Sequence, residues 1–277
     1  MQRISTDLAS GLKIQSLVGG EKSLPPLVLL HGYPATAYLW RNCIPELSKY
    51  FHVLAPDLPG HGNSDKPINA AYDGEYFLQF LTDYFEALDI GKAHLVTHDL
   101  GGMIGLKYAS HHGNKIDKFV VMDTLPYTDL PEGMKGFYNA VRSPIMSKIL
   151  RFKPVFSKSF FRDKRIVYNL NKISKNTITM YHDSWTNNSA SKRAFSNVLK
   201  APVETFTEPK DHLKNITMAT LILWAENDLA MPVAIAKQLA NDIPNAQLVL
   251  IPECGHFVPE EQPELVVQHV LDFLRSG

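Results

Sequence analysis

Short, uninterrupted apolar segments recur along the chain and alternate with segments in which apolar residues follow a helical spacing. Continuous apolar segments are typical of strands that are buried on both faces of a parallel sheet. They predict strands at residues 26–30, 51–55, 95–97, 118–122, 219–224 and 247–251, with a possible edge strand at 13–18. Helical spacing predicts helices at residues 37–50, 76–88, 233–241 and 264–275.

The alternation stops between residues 125 and 215, where no strand is recognisable and the spacing is helical or irregular. Alternation on both sides of one helical segment indicates an insertion into a single α/β domain. We therefore predict an α/β fold, a mostly parallel sheet flanked by helices, with an inserted helical cap. Residues 1–124 and 216–277 are predicted to form the core domain and residues 125–215 the cap.

The segment around Asp99 predicts a strand, a sharp turn and a helix. The apolar strand ends at Thr97, His98 and Asp99 follow, and a helix-compatible segment with early glycines extends to about Ser110. This arrangement presents the side chain of Asp99 at the apex of the turn. An alternative is that Asp99 caps the helix that follows it, a common use of aspartate.

Further polar residues follow other predicted strands. Asp123 comes directly after the strand at 118–122, Asp228 lies just beyond the strand at 219–224, and His256 lies beyond the next strand. His31 and Gly32 follow the strand at 26–30. Because ligands of open α/β sheets bind outside the carboxyl ends of the strands, these residues are candidates for one site.

Four motifs resemble the α/β-hydrolase superfamily, specifically the aspartate-nucleophile branch that contains epoxide hydrolases and haloalkane dehalogenases. They are His31-Gly32-Tyr33-Pro34, the stretch 38–41, the stretch 55–67, and His98-Asp99-Leu100-Gly101-Gly102. The superfamily's chain order of nucleophile, acid and histidine is matched here. The resemblance covers nearly the whole chain outside the cap.

The resemblance implies that Asp99 is the nucleophile, His256 the base and Asp228 the acid that orients His256, with Asp123 as an alternative acid. A carboxylate is already anionic at neutral pH, so it can attack a saturated carbon without prior deprotonation. His256 is then free to activate water, which attacks the alkyl ester of Asp99.

Attack of water on that ester creates an oxyanion on the enzyme's own side chain, and backbone N–H groups must stabilise it. The resemblance implies that these donors belong to Tyr33 and Leu100. No G-x-S-x-G motif occurs, which argues against a serine esterase.

The leaving group separates two possible substrates. Opening an epoxide requires a proton donor, and the resemblance implies a cap tyrosine; the candidates are Tyr127, Tyr138, Tyr168 and Tyr181. Haloalkane dehalogenases commonly bind halide with a tryptophan after the nucleophile, where this chain has Leu100. We therefore favour an epoxide hydrolase acting on a small apolar epoxide, with a haloalkane dehalogenase as the alternative. A ligand-binding protein without catalysis, on the same fold, is the alternative from another class.

Composition and charge limit the kinds of binding partner that are expected. The formal net charge is zero over 277 residues, which gives no general attraction to nucleic acid or to an anionic membrane. No apolar segment is long enough to span a membrane, and no signal peptide is visible, so a cytoplasmic protein is expected. The two cysteines predict no disulfide framework, and no metal motif or cofactor motif occurs. The expected partners are a small apolar substrate and water; the oligomeric state is left open.

Overall fold

The computed structural model describes residues 1–143, 145, 146, 149 and 161–276. These residues contain an eight-stranded sheet with the order β1-β2-β4-β3-β5-β6-β7-β8. Its strands are β1 Gln2–Asp7, β2 Lys13–Gly19, β3 Pro26–Leu30, β4 His52–Pro56, β5 Ala93–His98, β6 Ile116–Met122, β7 Thr220–Ala225 and β8 Ala246–Ile251. β1 pairs antiparallel with β2, and β2 antiparallel with β4, whereas β3 to β8 pair in parallel. The predicted α/β fold with a mostly parallel sheet is confirmed.

β1 was not predicted from the sequence. It lies at the edge of the sheet, and of its residues only Thr6 is fully buried while Ile4 is half-buried. An edge strand that buries so little carries almost no alternation of apolar and polar residues, so periodicity could not identify it.

Helices cover both faces of the sheet. The α-helices of the described residues are α1 Ile44–Leu47, α2 Gly74–Ala87, α3 Leu100–His111, α4 Glu132–Arg142, α5 Lys175–Thr186, α6 Ser189–Lys200, α7 Lys210–Leu213, α8 Val233–Asp242, α9 Val258–Glu261 and α10 Pro263–Arg275. Alternate residues of β3 enter two separate cores: Val28 and Leu30 pack with α2, α3 and α8, whereas Leu27 and Leu29 pack with α1 and α10. The prediction of one helix over residues 37–50 is wrong: the segment is divided into a 3₁₀ helix at Ala37–Trp40 and the short α1.

The described part of residues 125–215 contains helices and no strand, as the sequence pattern predicts. Residues 144, 147, 148 and 150–160 of the predicted cap lie outside the described residues. A hydrogen bond joins the predicted cap to an ion pair of the predicted core: Arg41 donates to both oxygens of the buried Glu260 at 2.5 and 2.8 Å, and the hydroxyl of Tyr181, from the predicted cap, donates to the same carboxylate at 2.6 Å. No helix within the described ranges is long and apolar enough to cross a bilayer.

Candidate active site

Asp99 occupies the turn between β5 and α3 in a strained backbone conformation. Its φ of 51° and ψ of −118° lie outside the regions that a non-glycine residue normally adopts. Such strain costs about 1–3 kcal/mol and persists only where the surrounding structure enforces it. Its side chain makes no capping hydrogen bond to α3, which disfavours the alternative interpretation of Asp99 as a helix cap.

Two backbone N–H groups act on the Asp99 carboxylate. The Tyr33 N–H donates to Oδ1 at 2.6 Å, and the N–H of Leu100, the next residue, contributes to lowering the pKa of Asp99. Both groups are the donors that the sequence predicts for an oxyanion. Gly32 allows this approach, because a Cβ at that position would overlap the Asp99 side chain.

His256 lies between two carboxylates. Its Nδ1 is 2.7 Å from Asp228 Oδ2, and its Nε2 is 3.4 Å from Asp99 Oδ2. The other oxygen of Asp228 accepts hydrogen bonds from the Ala230 and Met231 N–H groups at 2.8 and 2.9 Å. Asp228 is therefore held as a fully bonded, buried carboxylate directed at the imidazole. The structure brings Asp99, His256 and Asp228 together, with His256 between the two acids.

Asp123, the alternative acid, is buried beside Asp228 and has no hydrogen bond to His256 among the described residues. Its Oδ1 accepts a hydrogen bond from the Ala225 N–H at 3.1 Å, whereas its Oδ2 receives none from the described residues. Burial, and then the nearby Asp228 carboxylate, raise the pKa of Asp123 well above its ordinary value. A protonated Asp123 is a neutral acid that can donate to Asp228.

The backbone of His256 is fixed by contacts that the sequence did not predict. His98 Nε2 lies 2.7 Å from the His256 carbonyl oxygen, and the His256 N–H donates to the Ile166 carbonyl at 2.7 Å. Burial, followed by the proximity of His256, lowers the pKa of His98 to about 4, so His98 is a neutral donor at Nε2. His98 is part of the motif that contains Asp99, but the contact of its ring with the His256 carbonyl is visible only in the folded structure.

Electrostatics favour the charged form of His256. Burial lowers its pKa, but the carboxylates of Asp228 and Asp99 outweigh burial and raise the pKa well above its ordinary value. The pKa of Asp99 is lowered, because hydrogen bonding and attraction from His256 outweigh burial. With Asp99 free, the site therefore holds an imidazolium between two carboxylates.

The attraction between His256 and these two carboxylates makes the free energy of unfolding depend on pH, which can be measured. Because the folded-state pKa of His256 exceeds the ordinary 6.5, its contribution to stability is complete below pH 6.5. The contribution is lost as the pH rises through the folded-state pKa. We expect the free energy of unfolding of the wild type to fall more steeply above pH 6.5 than that of His256→Gln, measured by urea titration at each pH. Parallel slopes for the two proteins would contradict this.

A cavity of about 140 Å³ opens beside Asp99 and His256. A cavity of this size accepts a ligand about as large as benzene. Asp99 and His256 are the only ionisable acid and base among the described lining residues, apart from the hydroxyls of Tyr33 and Tyr138. The remaining lining is aliphatic, aromatic or methionine, so the site fits a small apolar molecule.

Of the four candidate cap tyrosines, one lines this cavity and three do not. Tyr138 lines it; its hydroxyl donates to the Ala201 carbonyl at 3.3 Å and accepts from the Val203 N–H at 2.9 Å. The other three do not line it: the Tyr127 hydroxyl donates to Asp242, the Tyr181 hydroxyl is buried against Glu260, and Tyr168 is half exposed. These three are withdrawn as proton donors, because none of them lines the cavity that holds Asp99 and His256.

Comparison with known proteins agrees with this geometry. The family model described as the α/β hydrolase fold matches residues 25–263. The chain is 28% identical over 258 residues to 2-hydroxy-6-oxononadienedioate/2-hydroxy-6-oxononatrienedioate hydrolase of Cupriavidus pinatubonensis, covering 90% of this chain and 86% of that protein. It is 26% identical over 286 residues to human Epoxide hydrolase 4, covering 96% and 77%. The solved structure of epoxide hydrolase CorEH without ligand superposes with a TM-score of 0.85 at 24% identity, covering 99% and 98%.

Proposed function

The chain belongs to the α/β-hydrolase-fold family and is a hydrolase, and from this premise we propose that it hydrolyses small apolar epoxides to diols through a covalent ester on Asp99. One observation carries the proposal. The turn between β5 and α3 presents the carboxylate of Asp99, which accepts a hydrogen bond from the Tyr33 N–H at 2.6 Å and lies 3.4 Å from His256 Nε2. A carboxylate in this position can form a bond to carbon and later be released by water.

In the first step, an oxygen of Asp99 attacks a ring carbon of the epoxide and the carbon–oxygen bond of the ring breaks. The hydroxyl of Tyr138 gives up its hydrogen bond to the Ala201 carbonyl and donates its proton to the departing oxygen. Esterification removes a negative charge from beside His256, so the pKa of the imidazole falls and His256 releases its proton. That proton restores Tyr138 through the solvent, so charge is balanced.

In the second step, neutral His256 takes a proton from water while the water oxygen bonds to the carboxyl carbon of the ester. The N–H groups of Tyr33 and Leu100 stabilise the resulting oxyanion, a contribution worth about 3 kcal/mol for a single donor. The intermediate then expels the diol oxygen, which takes the proton of the new carboxyl group. Asp99 is again a carboxylate and His256 again a cation, and the net reaction adds one water to one epoxide.

The cavity favours an epoxide over a haloalkane. Halide release needs N–H donors near the nucleophile, but the described lining contains no tryptophan and no side-chain amide. The indole of Trp185 donates instead to the Pro34 carbonyl at 2.7 Å. The phenol of Tyr138, by contrast, lines the same cavity as Asp99 and can supply the proton that an alkoxide requires.

The same lining disfavours a dicarboxylate substrate of the kind named for the Cupriavidus hydrolase. A bound carboxylate needs a cation or several N–H donors. The one cation among the described lining residues, His256, is already paired with Asp99 and Asp228, and no lysine or arginine lines the cavity there. The proposed substrate is therefore neutral.

We expect Tyr138→Phe to slow diol formation about 100-fold, the contribution of one general acid. Diol formed from a panel of small apolar epoxides is measured by mass spectrometry, beside halide release from chloroalkanes and bromoalkanes. Tyr127→Phe is the matched control, because it removes a phenol that does not line the cavity, and it should retain wild-type turnover.

Halide release without diol formation would show a haloalkane dehalogenase instead. Saturable binding of these compounds without turnover or covalent adduct would show the ligand-binding alternative. Equal losses in Tyr138→Phe and Tyr127→Phe would remove Tyr138 as the proton donor.

A further inference from the structure

Charge is distributed very unevenly along the chain. Residues 132–200 contain fourteen Lys or Arg against three Asp or Glu, although the whole chain has 28 of each class. The remainder of the chain is correspondingly acidic. A neutral protein with one strongly basic segment presents a local positive surface that its net charge conceals.

Residues 161–174, named here the strap, combine this charge with exposed apolar side chains. Arg162, Lys164, Arg165 and Lys172 are exposed. The one carboxylate of the strap, Asp163, is bound by Arg165. The strap is therefore a short surface segment with a clear excess of positive charge.

Apolar side chains stand among these cations. Tyr168 is 50% exposed, Leu170 is 39% exposed, and Leu229, whose N–H donates to the Arg165 carbonyl, is 60% exposed. Glu226, three residues before Leu229 in the chain, is an exposed carboxylate. Exposed apolar side chains among cations are typical of surfaces that rest at a bilayer interface.

The inner side of the strap reaches the active site. Ile166 lines the cavity and its carbonyl accepts the His256 N–H, while Val167 is fully buried. Glu261 accepts hydrogen bonds from the Asn169 and Gly255 N–H groups at 2.8 and 3.1 Å, which holds the strap against the loop of His256. The strap therefore carries exposed cations and, at Ile166, part of the cavity wall.

We propose that the outer face of the strap, with Leu229, docks on the surface of an anionic phospholipid bilayer. The cations fit phosphate headgroups, and the side chains of Tyr168, Leu170 and Leu229 fit the boundary between headgroups and acyl chains. Nucleic acid would satisfy the cations but not the exposed aliphatic side chains. The docking goes beyond the proposed hydrolysis, and it requires no turnover.

The test is sedimentation of the full-length protein with vesicles of phosphatidylcholine alone or mixed with phosphatidylglycerol. Wild-type protein should bind the mixed vesicles at low salt, bind the neutral ones poorly, and dissociate as salt rises. The triple variant Arg162→Gln, Lys164→Gln, Lys172→Gln should bind on the order of 100-fold more weakly, at roughly fivefold for each charge removed.

A matched triple variant controls for net charge. Lys22→Gln, Lys92→Gln and Lys115→Gln remove the same amount of charge. These residues precede β3, β5 and β6, at the amino ends of the strands, whereas Asp99 follows the carboxyl end of β5. This variant should bind like the wild type. Thermal unfolding checks that both variants are folded, and Tyr168→Ser with Leu170→Ser, which leaves every charge in place, should weaken binding to the mixed vesicles at low salt.

Three outcomes would overturn the proposal. They are no binding to anionic vesicles at low salt, equal losses in both triple variants, and binding to duplex DNA that exceeds vesicle binding and is unaffected by the serine variant. Because the readout is vesicle binding, it can fail while diol formation succeeds, or succeed while diol formation fails.

Discussion

Replacement of His256 by glutamine is expected to stop turnover and to trap the ester on Asp99. Glutamine cannot take a proton from water, so the second step loses its base while the nucleophile stays intact. Losing a general base typically costs 10²–10⁴-fold in rate. After exposure to an epoxide, the peptide that bears Asp99 should gain the mass of the epoxide, detected by mass spectrometry of a protease digest.

His269→Gln, a substitution in α10 outside the described cavity lining, is the control and should show turnover without an accumulated adduct. The double variant Asp99→Ala, His256→Gln should gain no mass at this peptide. An adduct on any other residue of the single variant would place the nucleophile elsewhere.

The two buried acids should respond very differently to removal of their charge. Asp228 accepts the hydrogen bond of His256 at 2.7 Å, so Asp228→Asn should lower the rate of ester hydrolysis by about three to four orders of magnitude, as in a comparable triad. Asp123 is held in its neutral form by burial and by Asp228, which raise its pKa. An amide resembles that neutral form, so Asp123→Asn should change the rate less than about tenfold. A tenfold change corresponds to about 1.4 kcal/mol in the activation free energy.

The comparison is made by single-turnover kinetics with the ester already formed, so that binding and the first step do not contribute. The two variants have matched chemistry, because each replaces one buried carboxyl group by an amide. A larger loss in Asp123→Asn than in Asp228→Asn would make Asp123 the orienting acid.

Sequence pattern identified most of the sheet because its central strands are buried on both faces. The strand predicted at residues 26–30 has the observed bounds Pro26–Leu30, and the strand predicted at 219–224 differs from Thr220–Ala225 by one residue at each end. The exposed β1 and the broken helix at 37–50 were beyond such a pattern. Tertiary contacts, rather than local periodicity, determine both.

The candidate site was predictable where it follows from topology. The ends of parallel strands converge on one edge, so strand order alone associates Asp99, Asp228 and His256. The cap was not predictable in this way, because helices can be oriented freely over the sheet and a tyrosine pattern does not say which hydroxyl faces inward. The role of the Ile166 carbonyl could not be predicted either, because a backbone group has no side-chain signature.

The central claim is that the Asp99 carboxylate bonds covalently to the substrate and is released by water attacking its own carboxyl carbon. Turnover of an epoxide in water labelled with oxygen-18, followed by mass spectrometry of the Asp99 peptide, measures this directly. The account predicts that the peptide gains oxygen-18 over repeated cycles, by up to two atoms as either oxygen becomes the nucleophile. An unlabelled peptide after many cycles of diol formation would contradict it, because water would then have attacked the substrate itself.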